Sequence, residues 1–235
     1  MDNTMQDFFD RIYVLNLDRR TDRWAGIQKQ LHHACITKAV RFPAIDKKPG
    51  WMGCLESHLT MLRQALADNV KNLLILEDDA ELYPDWIPIW REGSKQIPED
   101  WDMLYLGYNL EPTACVPPTR VSSHMLHLND ALTTHAYAIN GKCFEKLIEY
   151  IVALVGAGIP IDVIYARNFT NIKAYGIYPM LFRQSVSVSD ILGCAFDFPL
   201  RQNIDQELIK RLDGLLHKHE QMHIEIADFR NHHKS

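Results

Sequence analysis

Glu77-Asp78-Asp79 is the stretch of this chain best suited to chemistry. Two unit charges about 4 Å apart cost roughly 1 kcal/mol in water and about four times that near a protein surface. A hard divalent cation such as Mg²⁺ or Mn²⁺ relieves that repulsion. Such an ion takes oxygen ligands, commonly one or two carboxylates plus phosphates of a substrate. The residues therefore allow two readings, a metal–phosphate site or a solvated acidic loop.

The acids follow Leu73-Leu74-Ile75-Leu76. Four large apolar residues in a row fit a strand buried on both faces, as in a parallel sheet. In such sheets ligands bind beyond the carboxyl ends of the strands. An earlier apolar run, Arg11 to Leu17, opens into Asp18-Arg19-Arg20-Thr21-Asp22-Arg23. Parallel strands end on one edge, so Arg19, Arg20 and Arg23 are candidates to hold phosphate oxygens beside the acids; the alternative is a charged, solvated turn.

The elements needed to position these groups are legible. Trp24, Ile27 and Leu31 recur at helical spacing, Val40 to Ile45 reads as a strand, and Asp46 to Gly50 as a turn. Leu55, Leu59, Leu62 and Leu66 form a helical stripe before the Leu73 strand. This alternation of strand and helix predicts an α/β domain with a mostly parallel sheet. Beyond it we expect a short helix over 84–91 and a strand over 103–106, then a long proline-bearing connection. Strands over 121–128 and 131–139 flank Asn129-Asp130. A helix over 143–155, a short helix beginning at Asp162, a strand over 172–177 and an irregular segment over 183–192 follow. Residues 1–200 are read as the domain and 201–235 as a C-terminal helical tail. In the tail Leu208, Leu212, Leu215, His219, Met222 and Ile226 form a short heptad-like seam. It predicts a helix packed on its own domain, or a homodimer through that helix.

Composition narrows the classes. The 235 residues are 47% hydrophobic with a net charge of -5, which disfavours a nucleic-acid partner. Cys35, Cys54, Cys115, Cys143 and Cys194 are odd in number and form no CxxC pair, so reduced thiols are expected. No secretory signal or membrane-spanning stretch is read, which makes the cytoplasm the expected location. His219 and His223 are one helical turn apart but lack a third ligand in a set pattern, so they read as surface residues.

The segment Ile12 to Arg23 resembles the opening of glycosyltransferase family 25, which includes lipooligosaccharide and procollagen galactosyltransferases. Gly53-Cys54-Leu55-Glu56-Ser57-His58 and Leu76-Glu77-Asp78-Asp79 resemble its second and third signatures. Weaker similarities continue at Trp101 to Gly107, Ala136 to Ile139, Pro160-Ile161-Asp162 and Ser189-Asp190-Ile191. The first three blocks in order are specific; each later block alone is weak.

The resemblance implies a GT-A-type fold, with a Rossmann-like sheet and a UDP-sugar donor; the tail beyond Pro199 lies outside it, and its C-terminal helix rests on the seam alone. It further implies Mn²⁺ or Mg²⁺ and inversion at the anomeric carbon. Asp79 is then the first metal ligand, with Asp78 sharing the metal or facing the ribose, and Glu77 holding a metal-bound water. Asp190 closes over metal or phosphate, or makes a local turn. Asn16, Arg19, Arg20, Arg23, Gly53, Ser57 and His58 fall on the donor side, although Ser57 also suits a cap and His58, in the first turn of its helix, a structural role. Asp46 is a donor-side candidate with Lys47 where the family usually carries a small residue. Inversion needs a base for the acceptor hydroxyl. Asp162 is the first candidate, with an ordinary helix cap as its alternative, and Asp130 and His135 stand in reserve. The implied partners are a nucleotide sugar and a glycan, lipooligosaccharide or protein acceptor. A catalytically silent nucleotide- or glycan-binding relative is the competing expectation. A nucleotidyltransferase would be expected to carry a Gly-rich phosphate loop after the first strand, which is lacking.

Overall fold

The computed structural model describes residues 4–110 and 117–185, the backbone of 187–188 and 195–196, and helical residues 209–211, 214, 218 and 221. A one-turn helix α1 (Met5–Phe8) leads into β1 (Arg11–Asn16), α2 (Thr21–His33), β2 (Ala39–Pro43), α3 (Gly50–Ala67) and β3 (Asn72–Glu77). Then come β4 (Ala80–Leu82), α4 (Trp86–Gly93), β5 (Met103–Asn109), β6 (Thr119–Ser122), β7 (Met125–His127) and β8 (Leu132–Asn140). The chain continues with α5 (Phe144–Leu154), α6 (Ile161–Arg167), β9 (Ala174–Ile177), β10 (Phe182–Gln184) and a two-residue pair, β11 (Ser187–Val188) and β12 (Ala195–Phe196).

Eight strands form one sheet in the order β2-β1-β3-β8-β5-β9-β7-β6. Strands β1, β2, β3, β5, β9 and β6 run one way, and β7 and β8 run against them. The central sheet is thus mostly parallel, as expected. Because β8 is antiparallel to β3, the start of β8 lies beside the end of β3, with Ala136 opposite Leu76. That reversal brings Thr133 and Thr134 to the edge that carries the acids.

Alternation along β3 explains its unbroken apolar run. Leu73 and Ile75 enter the core under α3, α5 and α6, whereas Leu74 and Leu76 enter the opposite core with Ile27 and Leu31 of α2 and Trp90 of α4. Both faces are covered, so no polar residue is tolerated until the strand ends. The same alternation turns Glu77 toward the α3 side.

Several expectations are corrected. The expected strand over 121–128 turns at Ser123-His124 into the antiparallel pair β6 and β7, and β7 joins β9, not β8. Strand β5 runs to Asn109, beyond the expected end, with register shifts around Gly107. The segment expected to be irregular contains β10, which pairs antiparallel with β4. Helix α3 starts at Gly50, so His58 lies in its third turn and is fully buried. Ile209 of the tail is buried in the core that α3 and α5 cover, while Lys210, Arg211, Lys218 and Gln221 are exposed. The rest of the heptad seam, including Leu208 and Leu212, lies outside the described residues. Among the described residues, no helix is long and apolar enough to cross a membrane.

Candidate active site

The acids sit in a turn held on both sides. Asp79 O accepts from Ser185 N at 2.7 Å, and the following ribbon pairs Ala80 with Gln184 and Glu81 with Arg183. Arg183 Nε donates to Glu81 Oε2 at 3.1 Å. From β1, Asn16 Nδ2 donates to Asp78 Oδ2 at 2.7 Å. Arg41 of β2 donates to Asn16 Oδ1 at 2.7 Å, which fixes the amide so that its NH₂ faces the acid. Arg23, on the first turn of α2, donates to Asp78 Oδ1 at 3.0 Å and lies 3.6 Å from Asp79 Oδ2.

These partners do not neutralise the cluster. Burial pushes the Asp78 carboxyl up despite Asn16 and Arg23. Burial, with the charges of Glu77 and Asp78, pushes Asp79 up to about 7, against the pull of Arg23. Asp79 Oδ1 is buried with no hydrogen-bond partner. An orphaned, hard carboxylate oxygen beside a second acid suits a divalent cation with oxygen preference, so the residues present fit Mn²⁺ or Mg²⁺. Glu77 differs from its neighbours. Burial opposes its charge, but His58, Thr134 and His135 offset this and hold its carboxyl below the ordinary value. Thr134 Oγ1 donates to Glu77 Oε1 at 2.6 Å.

The acids form part of the lining of a cleft of about 380 Å³. One wall comes from the 44–51 segment, which α3 locks in place. A Cβ on Gly53 would meet Ile45 O at 2.3 Å, so only glycine lets the segment approach. Ser57 Oγ accepts from Ile45 N at 2.8 Å and donates to Gly53 O at 2.7 Å. Asp46, on this wall, accepts from Arg19 Nε at 2.9 Å, and Lys47 pairs with Glu56. Trp51, Leu15 and Ala44 give this end of the cleft apolar surface.

Pro160, Ile161 and Asp162 also line the cleft. Pro160 is the residue before α6, so Asp162 is the second helical residue rather than the cap. Asp162 Oδ2 accepts from Thr133 N at 3.2 Å and Oδ1 from Val163 N at 2.9 Å. Thr133 has φ of 73°, a left-handed conformation rare for a β-branched residue, and it turns its N–H toward Asp162. Burial pushes the Asp162 carboxyl up, more than its two backbone hydrogen bonds pull it down.

The structure thus gathers Arg19, Arg23, Asp46, Glu77, Asp78, Asp79 and Asp162 around one cleft. Asn16, Gly53, Ser57 and His58 are not in its lining: Asn16 holds Asp78, Gly53 and Ser57 hold Ile45, and His58 is buried beside the Tyr137 hydroxyl. Arg20 pairs with Asp22 at 3.0 Å and is not part of the lining. Asp130 is not in the lining either. His135 is fully buried, with its ring over Gly107, where a Cβ would meet Nε2 at 2.2 Å. Burial pushes the His135 ring down to about 4. Asp190 lies outside the described residues.

Sequence reasoning passed over Cys54, Lys48, Trp51, Thr133, Thr134 and Gln184, all of which line the cleft. Cys54 had a signal: it stands four residues before His58 on one helix face. The threonines had none, because only the reversed direction of β8 brings them to the acids.

A family model described as glycosyltransferase family 25 (LPS biosynthesis protein) matches residues 49–165. The chain is 24% identical over 222 residues to a procollagen lysyl hydroxylase and glycosyltransferase of Acanthamoeba polyphaga mimivirus, covering 74% of this chain and 24% of that protein. It is 21% identical over 174 residues to procollagen galactosyltransferase 2 of Homo sapiens, covering 60% of this chain and 27% of the relative. The chain therefore spans about a quarter of the length of these curated relatives. Among solved structures, it is similar to a glycosyltransferase involved in the glycosylation of the major capsid of PBCV-1, with 12% identity and a TM-score of 0.50. That match covers 84% of this chain and 99% of the other, and the likeness is one of fold, of the GT-A-like kind.

Proposed function

We propose, from the premise that this chain belongs to glycosyltransferase family 25, that it moves a sugar, galactose first among the candidates, from a UDP-sugar to a hydroxyl acceptor with inversion. The observation that carries this reading is a single cleft lined by Asp78, Asp79 and Asp162 together with Arg19 and Arg23.

Asp79 and Asp78 would hold Mn²⁺ or Mg²⁺, with Asp190 as a further proposed ligand. When bound, the ion acts as a Lewis acid toward the negative charge that gathers on a departing diphosphate. Arg23 and Arg19 present guanidinium donors to the same diphosphate. Asn16, oriented by Arg41, keeps Asp78 in place. Asp162, lining the same cleft, takes the proton from the acceptor hydroxyl as that oxygen attacks the anomeric carbon from the face opposite the leaving group. Its raised pKa makes it a stronger base than an exposed aspartate. Procollagen in the names of two relatives supports a protein hydroxyl as acceptor, and LPS biosynthesis in the family description supports a lipooligosaccharide.

The test is a UDP-sugar panel with and without Mn²⁺, followed by UDP release, with glycan and hydroxylysine-peptide acceptors. Absence of release with every donor, together with no thermal shift on adding UDP, would overturn the reading. A second reading, a silent nucleotide-binding relative, is favoured by Arg23, which already gives Asp78 and Asp79 an internal counter-ion. UDP binding that is indifferent to a chelator, with no transfer, would select it.

A further inference from the structure

We propose that Cys54, His58 and Glu77 form a separate metal site for a zinc-class divalent ion in the floor of the cleft. It does not rest on the donor reading, because its ligands are not Asp78 and Asp79.

Cys54 and His58 are one helical turn apart on the inner face of α3, and Glu77 reaches them from the end of β3. One donor atom from each, a sulfur, a ring nitrogen and a carboxylate oxygen, lies within 4.8 Å of the others. His58 Nε2 is 3.7 Å from Glu77 Oε1. That is too long for a hydrogen bond. It is close to the separation of roughly 3.4 Å that ligands about 2.0–2.2 Å from a tetrahedral zinc keep from one another.

His58 carries the second observation. Its side chain is fully buried, and Nε2 has no hydrogen-bond partner. Leaving a buried polar atom unmet costs about 1–3 kcal/mol, so an atom of this kind points to a missing ligand. The other nitrogen, Nδ1, is 2.7 Å from Tyr137 OH, which is 3.4 Å from Tyr165 OH. With an ion on Nε2, the ring proton would sit on Nδ1 and point to Tyr137 OH. Metal-bound histidines are oriented in this manner, by a partner on the second ring nitrogen.

The donor set sorts the metals. Asp78 and Asp79 offer only oxygen, which suits Mg²⁺ or Mn²⁺, whereas thiolate and imidazole suit Zn²⁺ or Co²⁺. Cys54 and Glu77 both line the cleft, so a fourth position opens toward it. Binding forms a metal–sulfur bond as the Cys54 S–H bond breaks, and the proton leaves to solvent.

The test uses the full chain, freed of metal by a chelator and titrated with Co²⁺. One equivalent should produce a thiolate-to-cobalt charge-transfer band in the near ultraviolet. Zinc-loaded protein should show one sulfur at about 2.3 Å by X-ray absorption. Cys54→Ser should abolish the band, and Glu77→Gln should keep it while weakening Co²⁺ binding at least tenfold. Asp79→Asn should keep it too, even where UDP release is lost, so this site and the donor site fail separately. No Co²⁺ binding, a complex without the band, a zinc shell without sulfur, or a band that survives Cys54→Ser overturns the proposal. The X-ray absorption arm decides the matter should the variants fail to fold.

Discussion

Arg23 Nη1 lies 3.0 Å from Asp78 Oδ1, with both side chains about nine-tenths removed from solvent. The guanidinium also neighbours Asp79, so it is the internal cation of the cluster. Removing one member of a buried charge pair strands the other, at a cost of about 3–5 kcal/mol. Arg23→Met should therefore lower unfolding stability by that order in metal-free protein. Added Mn²⁺ should recover more stability in the variant than in the parent, because it meets acids with no competing cation. Equal gains in thermal denaturation would show that Arg23 and a metal do not share the same charge.

Asp79 gives a pH signature. Its folded pKa of about 7 is above the roughly 3.9 of an unfolded aspartate. Between those values the unfolded chain has lost a proton that the folded chain retains, so this group's contribution to stability falls as pH rises from about 4 to about 7. It then levels. Asp79→Asn removes the slope. In chelator-treated protein the variant should gain on the parent across this window, by up to about 4 kcal/mol at its top. Urea unfolding at pH 5, 6, 7 and 8 measures the gap. A gap of one size at every pH would refute the raised pKa.

Asp162→Asn should separate binding from chemistry. The amide oxygen can still accept from Thr133 or Val163, so this part of the lining should survive. Loss of a general base typically costs about 10²–10⁴ in rate. UDP-sugar affinity should stay within about twofold, while transfer to an acceptor falls by that factor. Unchanged transfer would move the base elsewhere.

Two glycines offer a matched pair. Gly53→Ala forces a Cβ against Ile45 O and should cost about 1–3 kcal/mol, with weaker UDP binding because the Asp46 wall moves. Gly26 is in the interior of α2 with nothing within 4 Å of its missing Cβ. Gly26→Ala should be stabilising by about 0.4–1 kcal/mol, with UDP binding unchanged. Thermal melts and UDP titrations of both variants check this; similar effects from the two would refute the close approach at Gly53.

Legibility in the sequence followed physical range. Strand β3 was readable because burial on both faces forbids polar residues from Leu73 to Leu76, and the break at Glu77 marks the edge where a site forms. Arg23 was placed beside the acids by the parallel run of β1 and β3 alone. His58 was misplaced by two turns because the residues that open α3, Gly50 and Trp51, carry no capping side chain. The β4–β10 ribbon was invisible, since each strand has three residues and their pairing spans about a hundred positions. Thr134 and Glu77 are likewise joined only by topology.

The ribbon has a consequence for how the protein is made. Ser185 grips the backbone of Asp79, and Gln184 lines the cleft beside it. A nascent chain that has emerged only through α5 would carry the complete acidic turn and most of the sheet, yet lack both its clasp and Asp162. The residues that clasp the acids and complete their cleft lie roughly a hundred positions further along the chain, so the cleft cannot be complete before Ser185 has been made.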